Sequence, residues 1–321
     1  MENQDMKFRF VVIGAADIAN KFCNAVSFWE DCEVTAVGSR SLERAKEFAE
    51  KNNLPNAYGS YEEMLVAEKP DAAYIAVTTD AHYEMCLLCI KHGIPFLCEK
   101  TMCTSVSQTV DVFEKAKEKG IFAMEAMWSR FLPAILKAKE WIKEGRIENV
   151  LFGDINVGFR AKDGDENRFW NPALGGGCAY DLTVYSYDIM TFMIEESIVD
   201  CQVAASFAKT GVDASNLIML RFDNALAALK SSIAVRLEEK MVLDGRGGRI
   251  VVPTPHFARE AFLYDQDGNL VDQFFDPNEN GFIYEVREVV DCIRRGDLES
   301  KSVPHSLTVE FAKVCEELLK K

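Results

Sequence analysis

Three side chains capable of proton chemistry stand at positions that a fold can bring to a substrate. Residues 175–185 read GGGCAYDLTVY, and within them Asp181 and Tyr185 lie four residues apart. On a helix that spacing puts both on one face. A third, Lys100, closes the segment CEK at 98–100. A lysine at a strand end can lower a neighbour's pKa or donate to a carbonyl oxygen, and a tyrosine or a carboxylate can carry a proton. Other readings stay open at this point. The glycines also suit a phosphate cradle or a plain helix start, and Lys100 also reads as a surface lysine paired with Glu99.

These residues need elements to position them. Residues 8–13, FRFVVI, form a strand-like run, followed by a helical pattern over 17–29. Strands at 33–37, 72–77, 95–99 and 121–126 alternate with helices at 42–52, from the third strand to Gly93, and from Ser105 to Gly120. Ser105 with Gln108 makes a capping box. This βαβ alternation predicts an α/β fold with a parallel sheet covered on both faces. After a helix at 133–144 the pattern changes to long, closely spaced strands, among them a hairpin FLYDQDGNLVDQFF with Asp-Gly near its turn. Helices at 282–295 and 306–320 close the chain. The change of pattern divides the chain into 1–127 and 128–321, the second with mostly antiparallel strands expected.

The turn VVIGAADIA joins the first strand to the first helix. A dinucleotide fingerprint reads G-x-G-x-x-G/A. Gly14 and Ala19 match its outer positions, and Ala16 replaces the middle glycine. Gly14, Ala15, Ala16, Asp17 and Ile18 would then offer backbone N–H groups to a pyrophosphate. The second strand ends in Gly38-Ser39-Arg40-Ser41 rather than in the carboxylate that suits NAD. Hydroxyls and a guanidinium bind a 2′-phosphate, so Ser39 and Arg40 point to NADP(H), with NAD(H) as the alternative. An ordinary strand–helix turn and a solvated arginine are the plain counterparts of these readings.

Composition narrows the class. The 321 residues carry a net charge of −15 with no basic run, which argues against nucleic acid. No apolar run reaches membrane-span length and no secretory signal stands at the N-terminus, so a cytoplasmic protein off the membrane is expected. The ten cysteines read as reduced thiols. Cys86 and Cys89 form a C-x-x-C inside an amphipathic helix with no second pair, so buried packing rather than a metal site is expected.

The chain resembles the glucose–fructose oxidoreductase and inositol dehydrogenase (Gfo/Idh/MocA) family. The matching pieces are IGAADIA, SRSLERA, TTDAH at 78–82, CEK, MEAMWSRFLPA at 124–134, NPALGGGCAYDLTVY at 171–185 and GFIYEVREVVDCIRRGDLES at 281–300. They resemble the dimeric dihydrodiol dehydrogenase branch more than the inositol branch, which carries His where Tyr185 stands. The resemblance implies a dinucleotide-binding Rossmann domain over 1–127, an α+β domain with a large, mostly antiparallel sheet over 128–321, and hydride transfer between NADP(H) and a sugar, polyol or diol. It puts catalytic roles on Lys100, Asp181 and Tyr185, and cofactor contacts on Thr78, Thr79, His82, Glu99 and Lys100. Trp128, Arg130, Phe169 and Trp170 would shape the substrate end. It also implies a homodimer or homotetramer through the C-terminal sheet. Ala16, Thr79, Thr101 and Thr183 depart from the family pattern; Thr101 stands where the family has proline, which would leave the backbone after Lys100 less fixed. A non-catalytic NAD(P)- or sugar-sensing regulator is the alternative class.

Overall fold

A computed structural model describes residues 7–164 and 166–320. The chain divides into two units, one running to Ala126 and including Phe282–Val309, the other Met127–Gly281 with Glu310 onward.

The first unit holds six parallel strands: β1 (Phe8–Ile13), β2 (Cys32–Gly38), β3 (Asn56–Tyr58), β4 (Ala72–Ile75), β5 (Phe96–Glu99) and β6 (Ala123–Ala126). Their order is β3-β2-β1-β4-β5-β6. This is the doubly wound arrangement, with its switch point between β1 and β4. Helices α1 (Asp17–Val26), α2 (Leu42–Lys51), α3 (Tyr61–Glu68), α4 (His82–His92) and α5 (Val106–Glu118) cross between strands. Strands β4, β5 and β6 are buried on both faces, which is why they read as apolar runs such as AAYI. Ser105 caps α5, its hydroxyl accepting from Gln108 N at 3.3 Å, as the capping box predicts. The short β3 and α3 carry too weak a pattern to be legible beforehand. Cys86, Cys89, Cys98 and Cys103 are core packing in this unit. All ten cysteines are free thiols, and no metal-binding cluster occurs among the described residues.

In the second unit α6 (Pro133–Lys143) and α7 (Val184–Met193) lie on an eight-stranded sheet. Its strands are β7 (Val150–Gly158), β8 (Ile198–Phe207), β9 (Asp213–Phe222), β10 (Leu226–Ser232), β11 (Lys240–Gly245), β12 (Gly248–Pro253), β13 (Glu260–Asp265) and β14 (Leu270–Phe275). All neighbours pair antiparallel except β7 with β10. On β9 Ile218, Leu220 and Phe222 are buried while Leu217 and Met219 face out, the alternation of a sheet covered on one face.

The helix α8 (Phe282–Arg295) belongs to the first unit, although the sequence pattern grouped residues 128–321 together. Its contacts explain the difference. Trp29 Nε1 donates to Ile283 O at 3.0 Å, and Arg287 and Arg294 both reach Asp31. Those two guanidinium groups hold the Asp31 carboxyl at about 2, the Arg294 hydrogen bond contributing most. The last helix, α9 (His305–Leu318), begins in the same unit, where His305 Nε2 meets Ala123 O at 2.7 Å.

Candidate active site

Register brings the cofactor residues of the first unit to one sheet edge. Gly38, Ile13, Ile75, Cys98 and Glu125 are neighbours across β2, β1, β4, β5 and β6. The residues that follow them, Gly14, Ser39 and Glu99, therefore leave the sheet together at its carboxyl end, where open α/β sheets bind ligands.

Gly14 has φ +106, and a Cβ there would lie 2.5 Å from Ala76 O. Only glycine fits. Ala16 is extended at φ −92, so its methyl is accommodated without strain, and no side chain caps α1. Ala19 N turns back to Ala16 O, which leaves the N–H groups of Asp17 and Ile18 at the helix start to face an anion. This cradle fits a dinucleotide pyrophosphate. Ser39 is buried and Arg40 exposed. Arg40 and Arg44 both act on Tyr61, whose phenol is pushed up by burial and pulled down by the two guanidinium groups. Arg44, one turn beyond Arg40 in α2, was missed by the sequence reading; its i+4 spacing from Arg40 was the available signal.

Thr78 and Thr79 sit half-buried at the turn after β4. His82 is 1 % exposed. Its Nδ1 meets Thr101 O at 2.9 Å and its Nε2 meets Val77 O at 3.2 Å. Burial, the dominant influence, holds its pKa below the ordinary value. The ring straps two loops together, each nitrogen facing a backbone carbonyl oxygen, rather than presenting a nitrogen to nicotinamide. Glu99 is buried and accepts from the Tyr74 hydroxyl. The Lys100–Thr101 peptide is cis. The backbone beyond half-buried Lys100 is fixed without proline. Thr101 O is held by His82, and Met102 N donates to Glu125 Oε1 at 2.7 Å. Glu125 is itself secured by Thr308 Oγ1 at 2.8 Å.

In the second unit the three glycines shape a loop and cradle no phosphate. A Cβ on Gly176 would lie 2.4 Å from Arg168 O, and one on Gly177, at φ +125, would lie 2.4 Å from Asp213 Oδ1. Asp213 Oδ2 accepts from Ala179 N at 2.8 Å and from Asn216 Nδ2 at 2.9 Å, capping the helix start from β9. Burial pushes the Asp213 carboxyl up against those donors. The helix opens with a π turn, Ala179–Thr183, and continues as α7. Single π turns of this kind are frequent at functional sites. Thr183 accounts for itself here: its hydroxyl lies 2.9 Å from Asn216 Oδ1 and 3.2 Å from Cys178 O.

Asp181 is largely buried, with one oxygen accepting from Arg168 Nη2 at 3.1 Å. Arg168 stacks on Phe169 at 4.0 Å, and Phe169 meets Phe159 edge-on at 5.1 Å. Trp170 donates to Lys162 O at 2.9 Å. Tyr185 is 7 % exposed, and its hydroxyl accepts from Trp128 Nε1 at 2.9 Å. Arg130 does not fit the expected substrate role. It is 7 % exposed and taken up by Asp188, through Nε to Oδ1 at 2.7 Å and Nη2 to the backbone oxygen at 3.2 Å. Burial raises the Asp188 carboxyl to about 6 while Arg130 opposes the rise. The pair ties the Trp128 turn to α7. Arg168 and Asp213 were missed, since no local pattern marks them.

Two family models match this chain. One, an oxidoreductase family with an NAD-binding Rossmann fold, covers residues 8–126. The other, the GFO/IDH/MocA C-terminal domain, covers residues 135–251. The chain belongs to the Gfo/Idh/MocA oxidoreductase family. This Gfo/Idh/MocA protein is an enzyme that works with a nicotinamide dinucleotide. It is 31 % identical to the mouse (Mus musculus) trans-1,2-dihydrobenzene-1,2-diol dehydrogenase, over 98 % of this chain and 97 % of that one. It is 29 % identical to the Bacillus subtilis (strain 168) scyllo-inositol 2-dehydrogenase (NADP(+)) IolU, over 97 % and 96 %. Among solved structures, an aldose–aldose oxidoreductase from Caulobacter crescentus shares the fold, with a TM-score of 0.87 at 20 % identity, covering 97 % of this chain and 96 % of that one.

Proposed function

We propose that this enzyme moves hydride reversibly between NADP(H) and a diol or polyol, or its carbonyl, with Tyr185 as the proton-transfer group. The observation that carries the proposal is the Tyr185 phenol, buried and accepting a hydrogen bond from the Trp128 indole. A donor to the phenol oxygen favours the phenolate, the form that takes a proton from an alcohol. The nicotinamide, when bound, accepts or supplies the hydride. Asp181 accepts from a substrate hydroxyl in this reading, and Arg168 holds that carboxylate in place. Lys100 contributes positive charge toward the substrate oxygen as negative charge develops there. His82 and Glu125 act indirectly by fixing the loop beyond Lys100.

NADP(H) is favoured because Ser39, Arg40 and Arg44 surround the end of β2 and Arg40 is exposed to meet a phosphate. The exposed sheet face carries Phe152, Leu217, Met219 and Leu226 on three adjacent strands, which supports a homodimer through that face. No helix among the described residues is long and apolar enough to cross a membrane. Ten free thiols support a place in the reducing cytoplasm.

The test is a panel of trans-1,2-dihydrobenzene-1,2-diol, scyllo-inositol, aldoses and open-chain polyols with NADP+ and NAD+, beside Tyr185→Phe. Turnover of a cyclic diol or polyol with NADP+, lost in Tyr185→Phe, is expected. Undiminished turnover in that variant removes Tyr185 from proton transfer. A clear preference for NADH removes the role given to Arg40. Tight NADPH binding with no turnover across the panel would favour a sensor.

A further inference from the structure

Four side chains of the second unit close a circuit around the Tyr185 hydroxyl. Trp128 Nε1 donates to Tyr185 at 2.9 Å. The Tyr185 ring lies 5.3 Å from His256, tilted by 39°. His256 meets Phe257 at 4.2 Å, and Phe257 meets Trp128 edge-on at 4.9 Å. Trp128, Tyr185 and His256 are 5 %, 7 % and 6 % exposed. His256 and Phe257 come from a short helical turn, Pro255–Phe257, entered through Thr254 at φ 43.

A phenylalanine at 256 would serve ring packing alone. A buried imidazole carries a desolvation cost that needs a polar partner. Glu239 stands beside it, with Oε2 3.8 Å from His256 Nδ1, a distance for an ion pair with a protonated imidazole and too long for a hydrogen bond. Glu239 is anchored in turn: its Oε1 accepts from Gly158 N at 3.0 Å, and its backbone oxygen accepts from Thr254 N at 3.1 Å. Glu239 is thus tied by its carboxylate to the end of β7 and by its backbone to the entry of the turn that presents His256.

We propose that His256, anchored by Glu239, is a positioning residue that holds the Tyr185 ring so that its hydroxyl stays on the Trp128 indole. The proposal rests on the reading of Tyr185 as the proton-transfer group. A phenol held by its oxygen alone can rock about that one hydrogen bond. A contact on the ring removes the motion and keeps the hydroxyl in line with a bound alcohol. Misplacement of a reacting group by about 1 Å costs on the order of 10²-fold in rate.

Two measurements on the full chain test this. The first is the indole N–H resonance of Trp128 in ¹⁵N-labelled protein, assigned with Trp128→Phe; it needs no substrate. It is expected to move upfield in Tyr185→Phe, to move in the same direction in His256→Ala, and to return part of the way in His256→Phe, which restores a ring. The second is kinetics with whichever compound of the panel above turns over. His256→Ala is expected to lower kcat about 10–100-fold with the NADPH dissociation constant unchanged. Glu239→Gln is expected to give a smaller loss of the same kind. An indole resonance that stays at its wild-type position in His256→Ala overturns the proposal, as does an unchanged kcat. If His256→Ala does not fold, Glu239→Gln decides: an unshifted resonance in that variant overturns the proposal. Full turnover in Tyr185→Phe sinks the functional reading instead, and the resonance still reports whether His256 positions the phenol.

Discussion

Trp128→Phe removes one hydrogen bond while keeping an aromatic ring, and its effect should depend on pH and on reaction direction. The indole N–H lies 2.9 Å from the Tyr185 oxygen, and both side chains are nearly buried. A hydrogen bond to an ionised partner contributes about 1.5–3 kcal/mol. At about 1.36 kcal/mol per pKa unit, its loss should raise the phenol pKa by about 1–2 units. Alcohol oxidation uses the deprotonated phenol. Below its pKa, the usable fraction falls tenfold per unit, so kcat/KM for oxidation should drop about 10–100-fold near neutral pH. The loss should shrink as pH is raised. Carbonyl reduction uses the protonated phenol, so its alkaline limb should move to higher pH. The assay is kcat/KM against pH in both directions for wild type and variant, with the NADPH dissociation constant and melting temperature as controls. Profiles that overlay would refute tuning of Tyr185 by the indole. An equal loss at every pH would reduce Trp128 to packing alone.

Gly14→Ala should cut NADPH binding by at least about tenfold, since the new methyl meets Ala76 O at 2.5 Å and the residue sits at φ +106; fluorescence titration of NADPH measures it. Asp188 titrates at about 6, above the ordinary carboxylate, so the folded state holds its proton more tightly. Stability relative to Asp188→Asn should therefore be greatest below about pH 4 and fall, by up to roughly 3 kcal/mol, as pH rises through 6; urea unfolding at pH 4.5 and 7.5 checks the sign. Thr183→Val keeps the shape but leaves Asn216 Oδ1 and Cys178 O without the hydroxyl, at a cost of about 1–3 kcal/mol, read from the unfolding midpoint.

The chain's local patterns specified much of this protein. The Ser105 cap, the strand at 8–13, the helix at 282–295 and the Asp-Gly hairpin depend on neighbours a few residues away, so propensity and periodicity expose them. Gly14 was legible because a strand–turn–helix passage that approaches a backbone oxygen admits no Cβ. Asp181 and Tyr185 were legible as a helical pair, but not their separate environments. Tertiary structure decided those, placing Arg168 on Asp181 and Trp128 on Tyr185, 13 and 57 residues distant along the chain. It also took Arg130 for Asp188, turned His82 into a strap, and supplied Asp213 from β9 to cap the helix. Which polar groups a side chain meets depends on long-range packing and on burial that makes each unpartnered group costly. Neither is written in the spacing of adjacent residues.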